Sequence, residues 1–161
     1  VFFFAASSHR NQRSMLREVA FISDACTLPG YLVGSPGLYA ALRFQYRPAT
    51  MPERAAIVAR QHEQPANEFA ANAATVMAQK IVSWELPDDT TAAPPVSAAS
   101  VLSLHAELFR QLYLILLGYE ASAIDPAWPQ EIADEVLRDR AEAAAQGRAP
   151  GDVGHERREK N

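Results

Sequence analysis

Apolar and polar positions alternate through Leu42, Phe44 and Tyr46 against Arg43, Gln45 and Arg47, the two-residue period of a strand with one buried face. The period then changes within about four residues. Thr50, Pro52 and Glu53 form a helix start in which Thr50 can cap free amides, Pro52 sits in the first turn and Glu53 can close a capping box. A strand therefore hands over directly to a helix. Upstream, between Met15 and Ala49, "EVAFI" at 18–22 and "LPGYLVGSPGLYA" favour strands separated by turns, with Pro29, Gly30, Gly34, Ser35, Pro36 and Gly37 as turn formers. An isolated hairpin is marginal in water, so the face carrying Leu42, Phe44 and Tyr46 needs a cover. The expected fold class is α+β: a small N-terminal antiparallel sheet of two or three strands followed by a mainly helical remainder.

From Pro52 to Trp84 the pattern is helical and alanine-rich, interrupted at Pro65, which removes an internal hydrogen bond and disfavours a helical Gln64. Two helices or one kinked helix are expected. In the second part Phe69, Ala73, Val76, Met77, Ile81 and Trp84 recur at spacings of three and four, one apolar stripe closing on the tryptophan. "ELPDDTTAAPPVS" at 85–97 breaks the period with prolines and reads as a linker or ordered loop. Ser97 and Ser100 offer caps for a further helix with Val101, Leu104, Leu108, Leu112, Ile115 and Leu116 on one face, ended by Gly118. The last helical segment, Pro129 to Gly147, is mostly charge and alanine, with Ile132, Val136 and Leu137 as a thin apolar seam.

These patterns place one domain at 15–147. Residues 1–14 read as a non-native or disordered extension ahead of Met15, because "VFFFAA" has no preceding basic region and runs straight into "SSHRNQRS". The tail 148–161 lacks the apolar residues that would offset the entropy of ordering and is expected to be disordered.

Composition narrows the class of partner. The 161 residues are 48% apolar, enough for a core, and 15 basic against 19 acidic residues give a net charge of −4. That balance disfavours sequence-independent attraction to nucleic acid or anionic membranes. The longest strongly apolar run, "LYLILLG" at 112–118, is far shorter than the roughly 20 residues of a bilayer span. Neither nucleic acid nor membrane is expected as a partner. A lone Cys26 makes no demand for an oxidising compartment, and a cytoplasmic setting is the simplest reading.

Residues that could carry chemistry are scattered. His9, His62, His105 and His155 show no short helical spacing of the kind that builds a metal site. His105, near a helix start, suits a solvated or capping role. Ser35 in "VGSPG" lacks the glycine two residues before it that a nucleophile elbow requires, and reads as a turn residue. Cys26 follows Asp24 rather than a cation, which does not activate a thiol. Asp88 and Asp89 lie in the proline-bounded loop, while Asp134, Glu135, Asp139 and Glu142 mark a solvated helix face. Arg43, Arg47, Arg54 and Arg60 concentrate positive charge around the strand-to-helix join, but Phe44 and Tyr46 belong to the strand face opposite Arg43 and Arg47. No glycine-rich phosphate loop is present. A non-catalytic chain without cofactor or metal is expected.

In order, the chain has a β-rich start ending in "RFQYRPAT", an alanine-rich helix closing in "KIVSWEL", the spacer "PDDTTAAPPVS", and "VLSLHAELFRQLYLILLGYE". This order resembles the small tail assembly chaperones of long-tailed phages and prophages over residues 15–120. The resemblance implies a protein that acts in the cytoplasm of a bacterial host. There it binds the long, aggregation-prone tape-measure protein and helps tail-tube subunits gather around it. On that reading the partner contacts come from exposed members of the two apolar stripes, with Phe69, Val76, Met77, Trp84, Leu104, Leu108, Phe109 and Leu112 as candidates. The alternatives are a small DNA-binding regulator, which needs a contiguous basic face, and a small enzyme with a site assembled from scattered polar groups, which needs a deep pocket.

Overall fold

The computed structural model describes residues 26–147. The elements in chain order are β1 (Leu28–Leu32), β2 (Leu42–Tyr46), α1 (Met51–Glu63), α2 (Ala66–Lys80), β3 (Ile81–Glu85), α3 (Ala98–Leu102), α4 (Ala106–Leu116) and α5 (Gln130–Ala145). The strands form one antiparallel sheet in the order β1-β2-β3. The fold is α+β, with the sheet towards the N-terminal end and helices making up most of the rest. The strand expected at 18–22, the extension 1–14 and the tail 148–161 lie outside the described residues.

Alternation along β2 does what its period predicts. Leu42, Phe44 and Tyr46 are buried, and Arg43 and Gln45 are half-buried on the other face. The Phe44 ring lies over its cross-strand partner Gly30, where a Cβ would come within 2.3 Å of the ring. Glycine is therefore required at position 30 to let the aromatic ring fold across β1. The buried face of the sheet meets Ala73, Ala74 and Met77 of α2, Val101 of α3, and Leu108, Leu112, Ile115 and Leu116 of α4 in one core.

The strand-to-helix join forms as expected. The Thr50 hydroxyl accepts from the Glu53 amide at 3.4 Å and the Glu53 carboxylate accepts from the Thr50 amide at 2.8 Å. Two backbone bonds fix the chain entering α1: Arg47 N–H to the Lys80 carbonyl at 2.8 Å, and Ala49 N–H to the Leu116 carbonyl at 3.1 Å. Pro65 separates α1 from α2, so the helical stretch is two helices.

Three expectations are corrected. First, the second helix stops at Lys80, and Ile81–Glu85 is the third strand, so Trp84 does not close a helix. The register shifts between Gln45 and Tyr46, leaving Val82 as the extra residue of a bulge. The bulge brings Ile81 and Trp84 opposite Tyr46 and Phe44, on the core face. A spacing of three that reads as helical is here produced by a strand with a bulge.

Second, the apolar stripe from Val101 to Leu116 spans two helices. The chain breaks at Ser103–His105, and His105 caps α4 by accepting the Glu107 amide on Nδ1 at 3.2 Å. Its ring also packs on Tyr39, with centroids 4.7 Å apart. Gly118 closes this stretch with a positive φ of 78°. Third, the seam on α5 runs through Ile132, Ala133 and Ala143. Val136 is half-buried and Leu137 lies exposed.

The 86–97 segment is an ordered loop. Pro94 accepts from the Trp84 indole at 2.6 Å, Asp89 accepts from the Thr91 amide at 2.9 Å, and Ser97 forms a capping box with Ser100 at the start of α3.

Candidate partner-binding groove

Helix α1 has one physical peculiarity: none of its residues is buried. Its sequence explains this, because Arg54, Arg60, Gln61 and His62 leave no continuous apolar stripe, and Ile57 and Val58 are only half-covered. Ile57 packs against the edge of the core, and polar contacts supply the rest of its attachment. Lys80 bridges Glu53 at 2.6 Å, Arg54 stands 5.2 Å over the Tyr119 ring, and the Gln61 amide donates to the Tyr113 hydroxyl. The bond from Lys80, and then that from the Thr50 amide, hold the Glu53 carboxyl below its ordinary range. Burial pushes the Tyr113 phenol up.

A helix attached this way leaves a groove between itself and α2, of about 140 Å³. Ile57, Phe69, Ala73, Val76 and Tyr113 supply its apolar surface. Phe69 meets Tyr113 edge to face, with centroids 5.8 Å apart. The polar part of the lining is made by the side-chain amides of Gln61, Gln64, Asn72 and Gln79, together with Thr75 and Arg60. Arg60 is the sole charged residue in this lining, and no carboxylate contributes. The groove can therefore take an apolar side chain onto its floor, while the amides offer both donors and acceptors to a partner's polar groups.

Of the eight candidate contact residues, the groove brings together Phe69 and Val76. Met77, Leu108 and Leu112 are buried in the core and are withdrawn as contact residues, because a partner could reach them only by unfolding the domain. Trp84, Leu104 and Phe109 are partly buried against that core and do not line the groove, with Trp84 held through its indole by Pro94. Sequence reasoning missed Ile57, Tyr113 and the amides. Asn72, Val76 and Gln79 lie three and four residues apart, so their common helix face is legible. That α1 lies opposite them is set by tertiary structure.

The remaining polar residues hold the fold together. Ser35 closes a tight turn with Tyr39, through Ser35 N–H to the Tyr39 carbonyl at 2.9 Å and Tyr39 N–H to the Ser35 carbonyl at 3.1 Å. Arg43 binds Glu85 at 2.6 Å and the buried Asp125 through two bonds, joining the sheet to the loop before α5. Among the described residues no cluster of three or more His, Cys, Asp or Glu side chains is placed to hold a metal, and no helix is long and apolar enough to cross a membrane.

Comparison with models of protein families, with curated proteins and with solved structures returned no match to this chain.

Proposed function

We propose that this protein is a non-catalytic tail assembly chaperone of a long-tailed phage or prophage. It holds an apolar helical segment of the tape-measure protein in the groove between α1 and α2 and presents it to tail-tube subunits. The observation that carries this reading is the state of α1: a 13-residue helix with no buried residue, beside a groove floored by Phe69 and Val76. A helix with no buried residue, seated by Ile57 and by polar contacts, can shift its distance from α2 at small cost, widening the groove for a guest helix. Arg60, alone among charged residues in that lining, favours a guest bearing a carboxylate beside its apolar stripe. The segment-order resemblance supports the identity of the partner.

The test is co-expression with the tape-measure protein of the same tail. The proposal expects the partner to move from the insoluble to the soluble fraction, and a complex to survive purification at moderate salt. If the partner stays equally insoluble with and without this chain, the proposal is wrong.

A further inference from the structure

The two helices that wall the groove run in opposite directions and are tied at both ends. Pro65 turns the chain at one end, and the Lys80–Glu53 bridge of 2.6 Å joins the end of α2 to the start of α1 at the other. That bridge fixes which residues face each other. Ile57 lies four residues after Glu53 and Val76 four before Lys80, so both stand one turn in from the bridge, about 5.4 Å along the helix axis. Arg60, seven residues after Glu53, and Asn72, eight before Lys80, stand two turns in. Gln64 and Phe69, each eleven residues from its end of the bridge, stand three turns in, beside Pro65. All six line the groove, which along its length is apolar, then cationic with an amide, then aromatic with an amide.

The middle layer lacks a counter-charge. Among the described residues no ion pair or hydrogen bond engages the Arg60 side chain, and Glu63 and Glu68, on either side of Pro65, lie outside the groove lining. Gln61 has the Tyr113 hydroxyl as its partner, whereas the side chains of Gln64 and Asn72 hold no hydrogen bond among the described residues. A cavity of about 140 Å³ admits side chains, not a helix about 10–12 Å across. Only one face of a guest helix enters it.

On the reading of this groove as the seat of a guest helix, we propose that the guest is selected by an apolar–acidic–apolar pattern on one face: an aliphatic residue at i, Asp or Glu at i+3 or i+4, and an apolar residue at i+7. At one end of the pattern an aliphatic side chain packs between Ile57 and Val76, in the middle the carboxylate accepts from the Arg60 guanidinium, and at the other end a side chain packs on Phe69. The spacing follows from the layers, which are one helical turn apart, as are the three guest positions. Gln64 and Asn72 are free to bond polar groups on the guest's flanks. A basic residue in the middle position would meet Arg60 with nothing to neutralise it, so the groove rejects as well as selects.

The experiment uses the full chain and three acetylated, amidated alanine-based helical peptides of about 18 residues. All carry Leu at i and i+7, and they differ only in having Glu, Gln or Lys at i+4. Affinities are read by NMR titration, with the side-chain amide signals of Gln64 and Asn72 reporting the seat. The Glu peptide should bind the natural chain about fivefold more tightly than the Gln peptide, and the Lys peptide most weakly. Arg60 is exposed, so its substitution leaves the core untouched. In Arg60→Gln the advantage of Glu over Gln should vanish, and in Arg60→Glu the Lys peptide should become the tightest. Equal affinity of the three peptides for the natural chain, or a preference for Glu that persists in Arg60→Gln, overturns the pattern while leaving the groove as a helix seat. Absence of binding by all three overturns both.

Discussion

Arg43 and Asp125, 82 positions apart in the chain, meet as a two-pronged ion pair, Nε to Oδ2 at 2.5 Å and Nη2 to Oδ1 at 3.0 Å. Asp125 is buried and also accepts the Ala127 amide at 2.9 Å, while Arg43 extends a further bond to Glu85. The pair ties β2 to the loop ahead of α5. Removing one partner strands the other in a half-dry site. Asp125→Asn is expected to lower unfolding free energy by about 2 kcal/mol, below the range for fully buried pairs because Arg43 keeps some solvent contact. Urea unfolding at neutral pH measures it.

The same pair sets an acid dependence. Burial alone would raise the Asp125 carboxyl, but its bonds from Arg43 and from the Ala127 amide outweigh burial and hold it below its ordinary value. Glu53 is lowered too, by Lys80 first and Thr50 second. A carboxyl whose folded pKa is depressed adds stability that is complete above its unfolded value, about 4, and is lost as pH falls through the folded value. The melting temperature should therefore stay nearly level from neutral pH to about 5 and fall below about 4. Arg43→Ala should flatten that fall, as thermal melts across the pH series would reveal.

Gly30 and Phe44 test the sheet core. Gly30→Ala drives a methyl group into the Phe44 ring and should cost about 2 kcal/mol. Phe44→Leu relieves the clash while losing packing, so the double variant should be more stable than the two separate losses add up to. A strictly additive cycle would contradict the contact.

Helix α1 should be the softest of the long helices. Hydrogen exchange is expected to be fast across Met51–Glu63, where no residue is buried, and slow at Ala73–Met77 and Leu112–Leu116, which line the core. Tyr113→Phe removes the acceptor for Gln61 and should speed exchange near the end of α1 without slowing refolding.

The join at Thr50 was legible in the chain because a capping box is local chemistry: hydroxyl, amide and carboxylate lie within four consecutive residues. The core face of β2 was legible for the same reason, since side-chain direction follows from strand period alone. β3 was not, because the bulge at Val82 placed Ile81 and Trp84 on one face at a helical spacing. The groove was hidden more deeply. Its amides belong to two helices and the turn between them, and only that turn at Pro65 and the seat of α2 on the sheet bring them face to face. The stripe that marked Met77, Leu108 and Leu112 as contacts marked the core instead, since an apolar stripe does not record which surface covers it.

The claim that the α1–α2 groove is the working surface is tested most directly by binding of the soluble tape-measure fragment to groove variants, measured by titration calorimetry. Asn72→Arg places a long charged side chain on the exposed rim and should leave the fold intact, with an unchanged circular dichroism spectrum and melting temperature. Val76→Glu places a carboxylate on the floor. The account predicts that each variant weakens binding at least roughly tenfold, while Leu102→Ser, exposed on α3 and outside the groove lining, leaves it unchanged. Equal affinity of the natural chain, Asn72→Arg and Val76→Glu for that fragment would contradict it.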